Sequence, residues 1–183
     1  MAVETAARRL FTREEYHRMG EAGILKPTDR VELIRGEIVE MSPIGRRHYA
    51  FVNNLNLRLA GRAIVAVQGP IALADDTEPE PDVAIIRRRR VPYKEREAYA
   101  EDALLLIEVA ESSLAYDRST KLRLYAAAGI PEYWVVDCVA ESVEVHRAGD
   151  AGGYRDVSRV AGTGTVTVQA FPDVTLTFDE IVA

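Results

Sequence analysis

The segment ALLLIEVA, residues 103–110, constrains the fold more than any other stretch of this chain. A strand with one wet face alternates apolar and polar side chains, and this one does not. A near-continuous apolar run of that length reads as a strand buried on both faces, in the middle of a sheet. Such a sheet needs a covering layer on each side, and 183 residues are enough to build one domain with a real core. The exception inside the run is Glu108. An ionised carboxylate in that setting is costly unless it is paired or metal-bound.

The flanking sequence supplies the rest of a mixed sheet. Thr12 and Glu15 are spaced as a capping box, and TREEYHRMGEAG then reads as a short helix. VELIRGEIVEM reads as a hairpin turning at Arg35-Gly36. SPIGRR is a loop. From Arg46 to Ala60, Tyr49, Val52, Leu55 and Leu59 recur at helical spacing, with Gly61 placed to end the helix. AIVAV, PIALA and PDVAII carry strand signals, and RRRRVPYKEREAYAED is a polar connection with room for a helical turn. After the central run, STKLRLYAAAGI reads as a helix ending at Gly129. EYWVVD, SVEVHR and GGYRDVSRV read as further strands, and the tail adds another. With no internal repeat or linker, residues 1–183 are expected to form a single α/β domain on a central mixed sheet flanked by helices, with extra hairpins.

Three residues then converge. Asp82 opens the strand PDVAII behind the pairs Glu78-Pro79 and Glu80-Pro81, Glu108 lies in the central run, and Lys121 opens the helix that follows. If the two strands are neighbours, Asp82 and Glu108 project to one point. Two carboxylates with waters and a phosphate make a suitable shell for Mg²⁺, a hard ion that prefers oxygen ligands. Mn²⁺ accepts similar ligands and is the expected substitute. Each residue also has an ordinary reading: Asp82 as a loop acid satisfied by backbone donors, Lys121 as a solvated helix lysine, Glu108 as the partner of Arg118, Lys121 or Arg123. Asp117, just ahead of the helix, reads as an N-cap.

Taken together, PDV, IEV, YDRSTKLRLYAAAGIPEYWVVD and VELIRGEIVEMSP followed by His48 resemble the bacterial and cyanobacterial "putative restriction endonuclease" family. That family is a branch of the PD-(D/E)XK nuclease superfamily, and the likeness runs over roughly residues 12 to 147. It implies a restriction-endonuclease-like core, a four-stranded mixed sheet flanked by helices. It also implies Mg²⁺-dependent phosphodiester hydrolysis, with Asp82 and Glu108 as metal-binding acids. Lys121 would orient water or neutralise charge, and Glu32 and His48 match family-typical positions with an accessory role. One departure stands out. The usual lysine lies two residues beyond the second acid, where this chain has Ala110, so Lys121 would be a migrated lysine. The expected partner is nucleic acid, most naturally DNA, and a homodimer would suit cutting two strands.

Composition narrows the alternatives. The formal net charge of −6 argues against coating nucleic acid through bulk positive charge. The four arginines 87–90 lie a strand length from Asp82, about 15–20 Å, too far for the metal chemistry. One cysteine, Cys138, excludes an internal disulfide. No apolar stretch is long enough to span a bilayer and the N-terminus has no signal-peptide core, so a cytoplasmic protein is expected. His17, His48 and His146 are scattered and no HExxH or CxxC spacing occurs, which disfavours zinc. No G-x-S-x-G elbow or phosphate-binding glycine loop is present. Two other readings stay open on the residues: a binding or assembly module without activity, and a hydrolase of small phosphoesters.

Overall fold

The computed structural model describes residues 7–42, 46–59, 61 and 63–182, without the side chains of residues 47, 51, 55, 58, 59 and 182. The middle of the loop read at SPIGRR and the first six residues lie outside that range. So do the side chains of Leu55 and Leu59. Of the other two positions read on that helix, Val52 is buried and Tyr49 is exposed.

A six-stranded sheet runs in the order β3-β4-β5-β6-β7-β8. Its strands are β3 (Ile64–Val67), β4 (Val83–Ile86), β5 (Ala103–Ala110), β6 (Glu132–Asp137), β7 (Ser142–Asp150) and β8 (Gly153–Ala161). Every neighbouring pair is antiparallel except β5–β6, which is parallel. A parallel pair needs a crossover. Here it is the helical segment α3 (Leu114–Tyr116), a wide π turn (Asp117–Lys121) and α4 (Leu122–Ala127). The expected four-stranded sheet is present as β3 to β6, and β7 and β8 extend it by two.

The run 103–110 is the buried central strand that its composition predicts, with only Leu104 short of full burial. Successive side chains alternate between faces. Leu105, Ile107 and Val109 join Val83, Ile85, Trp134 and Val136 in one core. That core is covered by Val52 of α2 (Arg46–Leu59) and by β9 (Thr165–Val168), β10 (Phe171–Thr177) and α5 (Phe178–Val182). Leu106 and Ala110 face the other way, with Ala84, Tyr133 and Val135, under Tyr125 of α4. Tyr133 and Trp134 are thus core residues.

The N-terminal part lies against the strand ends. Thr12 forms both halves of a capping box with Glu15 at the start of α1 (Arg13–Glu21). β1 (Val31–Ile34) and β2 (Glu37–Glu40) pair through Ile34↔Glu37. Arg35 and Gly36 take φ of 52° and 76° at the turn, the left-handed pair that a two-residue hairpin demands. PIALA, read as a strand, is not one. Its amides bond in succession to Pro79, Ala98 and Thr77 carbonyls, so no single neighbour extends a ladder. No helix among the described residues is long and apolar enough to cross a membrane.

The arginine run also finds its place. Arg87 to Arg90 follow the end of β4, and all four are exposed. Arg89 Nε and Arg96 Nη2 reach Asp102 at 2.6 and 2.8 Å, and Asp102 is fully buried. The pair anchors the polar connection to the 3₁₀ turn Ala100–Asp102 just ahead of β5.

Candidate active site

The β4–β5 ladder ends at Val83↔Ile107, which brings Asp82 and Glu108 to the same end of two adjacent strands. Alternation from Val83 and Ile107 puts both side chains on the α4 face. Both are buried, at 5% and 3% exposure. Just past the last rung, the amide of Val109 donates to Asp82 Oδ2 at 2.7 Å, in place of a β4 carbonyl. His48 Nε2 lies 2.9 Å from Asp82 Oδ1, so α2 contributes an imidazole from the opposite layer.

Glu108 is held from the crossover helix. Lys121 Nζ donates to Glu108 Oε1 at 2.9 Å, and the Tyr125 hydroxyl donates to the same oxygen at 2.7 Å. Lys121 and Tyr125 are four residues apart, the spacing that stacks side chains on one helix face. Lys121 Nζ also lies 3.1 Å from Glu32 Oε2. Glu32 comes from β1. The amide of Glu78 bonds to Leu33 O at 2.7 Å, and that of Glu80 bonds to Glu32 Oε2 at 3.1 Å. The two Glu-Pro pairs therefore dock the hairpin over the strand ends. Ala110 is buried in the core under α4, where a small side chain leaves space for the helix that carries the lysine.

The helix is wound to suit. Residues 117–121 form a π turn, in which the amide of Leu122 bonds to Asp117 O, five residues back. Ser119 Oγ donates to Ala115 O, competing for an acceptor of the regular helix. Asp117 is consequently inside the helix and not its N-cap. It is 2% exposed, and its Oδ2 accepts from Ser113 Oγ at 2.6 Å. Such widened turns recur at functional sites.

Four carboxylates thus crowd around one buried ammonium. Burial raises Glu108 well above the usual carboxylate range; Lys121 offsets part of this, while Asp82, Asp117 and Glu32 add to it. Burial works against the charge on Lys121, but Glu108 and Glu32 outweigh it and hold the ammonium protonated. Asp117 is pushed up to about 6, mainly by burial, against the lowering effect of Ser113 and Lys121.

That shift has a measurable consequence. Between its ordinary 3.8 and about 6, folded protein keeps a proton on Asp117 that the unfolded chain has released. Stability due to this group is therefore present below pH 4 and lost as pH rises through 6, by about 3 kcal/mol in full. Asp117→Asn is expected to remove that part of the slope and to stabilise metal-free protein at pH 7. Urea midpoints at pH 4 and pH 7 check it, and equal slopes in both proteins would contradict the assignment.

Glu32, His48, Asp82, Glu108, Asp117 and Lys121 line one cavity of about 310 Å³. The donor chemistry fits a hard divalent cation: oxygen ligands, and an excess of negative charge over the single lysine at their centre. Among the described residues no hydrogen bond ends on Glu108 Oε2. Among the described residues, the trio of ligand atoms that lie within 4.8 Å of one another is elsewhere, at His17, Glu78 and Glu97. Arg13 already reaches both of those glutamates, so the trio is an ion-pair network. Sequence reasoning missed Tyr125 as the second anchor of Glu108. It also misplaced Asp117, which the spacing Asp117-x-x-x-Lys121 could have put beside the lysine.

Comparisons with known proteins follow the same line. Residues 13–179 match the model of the family Uma2, described as "Putative restriction endonuclease". A comparison with curated proteins finds no match. Among solved structures, the chain is similar to a putative nuclease of the DUF820 group from Anabaena variabilis. The two share 18% identity over 94% of this chain and 97% of the other, with a TM-score of 0.70. That likeness is one of fold.

Proposed function

This chain belongs to the "Putative restriction endonuclease" family, and we propose that it is a Mg²⁺-dependent nuclease that hydrolyses phosphodiester bonds, with DNA as its substrate. The observation that carries the reading is the cavity in which Asp82, Glu108, Glu32 and Asp117 surround Lys121. Asp82 and Glu108 would hold the ion. When bound, it would lower the pKa of a coordinated water and stabilise charge on the phosphate.

The chain's own groups supply the rest. An ammonium has three donors, and two of those of Lys121 point at Glu108 and Glu32. The third is available to orient water or to meet negative charge developing on the phosphate. Glu32 and Tyr125 fix the positions of Lys121 and Glu108. His48 is the imidazole that lines the cavity, and beside Asp82 it can take or return a proton. A homodimer would pair two such sites for two strands.

Mn²⁺ titration calorimetry on the wild type, Asp82→Asn and Glu108→Gln tests the proposal. One site is expected in the wild type and none in either variant, with plasmid cleavage lost in parallel. Full cleavage by Asp82→Asn would sink the proposal.

A further inference from the structure

Two residues that line the cavity of the acids each carry a buried polar atom without a hydrogen-bond partner among the described residues, Nε of Arg30 and Oη of Tyr116. Folded proteins rarely leave such groups unpaired, and those that persist call for an explanation. Both arrive by a clear local route. The amide of Met41 bonds to Arg30 O, carrying the β1–β2 ladder one rung beyond Val31↔Glu40. Arg30 is then extended, two residues from Glu32, and shares its face. Tyr116 ends α3 where the π turn begins, five residues before Lys121, and five is the hydrogen-bond spacing of a π turn.

We propose that Arg30 and Tyr116 seat a phosphate group of a nucleic-acid strand beside the acid cluster, donating through the guanidinium and the hydroxyl to its non-bridging oxygens. The inference rests on the nuclease reading above and names the contacts that admit the substrate.

Three observations support an anion here. A guanidinium N–H donates and cannot accept, which excludes a cation as its partner, and its planar fork matches phosphate. Burial, with Glu32 next in effect, pushes Tyr116 up to about 12, so at neutral pH its hydroxyl keeps a proton to donate. Among the described residues Lys121 is the other permanent cation lining the cavity, and Glu108 and Glu32 engage it through direct ion pairs. Arg30, whose charge also acts on Glu80, makes no such pair among these residues and can offset the repulsion that four carboxylates exert on a phosphate.

The shape points to a polymer. A second cavity, of about 680 Å³, shares Arg30 and Met41 with the first and is lined further by Tyr16, Lys26 and Gln68, with Glu21, Asp29 and Glu80 also on its walls. A mononucleotide would leave that groove unused, whereas a strand seated at Arg30 continues into it.

Arg30→Lys keeps the charge and removes Nε–H, and Tyr116→Phe removes only the hydroxyl. Each is expected to raise KM for a short DNA duplex about tenfold, the scale of one hydrogen bond to a charged group. Mn²⁺ affinity should stay at the wild-type value. The melting temperature should hold or rise, because the lost donors have no hydrogen-bond partner among the described residues. Wild-type KM in both variants, with cleavage intact, overturns this inference and leaves the nuclease reading standing. A fall in melting temperature with unchanged KM also overturns it, by assigning both groups to the fold. A wild type that neither cleaves nor binds the duplex overturns both readings together.

Discussion

Lys121→Met is expected to reduce cleavage by about 10²–10³-fold, the usual effect of removing one preorganised donor from a developing charge, while leaving Mn²⁺ binding intact or tighter. The two halves of that result come from one geometry. Lys121 Nζ sits 2.9 Å from Glu108 and 3.1 Å from Glu32, as the central positive charge of an acidic cavity. Its loss makes the cavity more negative, which favours a divalent cation. The same loss removes the donor that would face water or phosphate. Asp82→Asn and Glu108→Gln are expected to do the reverse and lose the ion first, so calorimetry beside single-turnover kinetics separates the roles. Methionine keeps an unbranched apolar stem at a position only 4% exposed, which limits the damage to the charge. Loss of Mn²⁺ binding in Lys121→Met would show that the lysine holds the acids in place, and a rate within threefold of wild type would remove it from the chemistry.

Glu132→Ala is expected to cost about 3–5 kcal/mol of stability, the range for breaking a buried ion pair, without touching the proposed site. Glu132 is fully buried at the start of β6. Its Oε1 accepts from Trp134 Nε1 at 3.0 Å and from Arg147 Nε and Nη2 at 2.9 and 2.8 Å. Its Oε2 accepts from the amide of Gln169 at 2.8 Å, in the turn between β9 and β10. One carboxylate therefore ties the central sheet to the hairpin that covers one of its faces with Val166, Val168, Val174 and Leu176. Alanine would leave a buried indole N–H and a backbone amide unpaired at once, and would take its ion pair from the part-exposed Arg147, which keeps its bond to Thr167 O. Against a typical total of about 5–15 kcal/mol, such a loss is a large share. Urea denaturation followed by circular dichroism measures it, and a change below about 1 kcal/mol would contradict the role. In the cold, the folded fraction should still bind Mn²⁺ with wild-type affinity, which distinguishes this buried acid from Glu108.

These two acids show where reading the chain succeeds and where it stops. Glu108 announces itself because it interrupts ALLLIEVA, a run that admits no solvent-facing side chain. Glu132 stands at the edge of an apolar run, where an acid has ordinary uses, and no local signal tells of Arg147 or Gln169. The turn at Arg35-Gly36 and the end of the helix at Gly129 were legible, because left-handed backbone demands particular residues. PIALA has strand composition but no continuous partner, and partners belong to topology.

The succession of strands from β3 to β8, PIALA apart, the buried central strand and the pairing of Asp82, Glu108 and Lys121 as candidates follow from the sequence alone. Burial periodicity and the cost of a bare charge are local properties, written residue by residue. Only the tertiary structure decided that Glu32 and His48 meet the same cavity, from a hairpin and a helix distant in the chain. It also placed Asp117 inside a widened turn and left Arg30 Nε and Tyr116 Oη without a hydrogen-bond partner among the described residues. Those facts depend on which surfaces pack against which. Packing is a property of the whole chain, and no window of the sequence contains it.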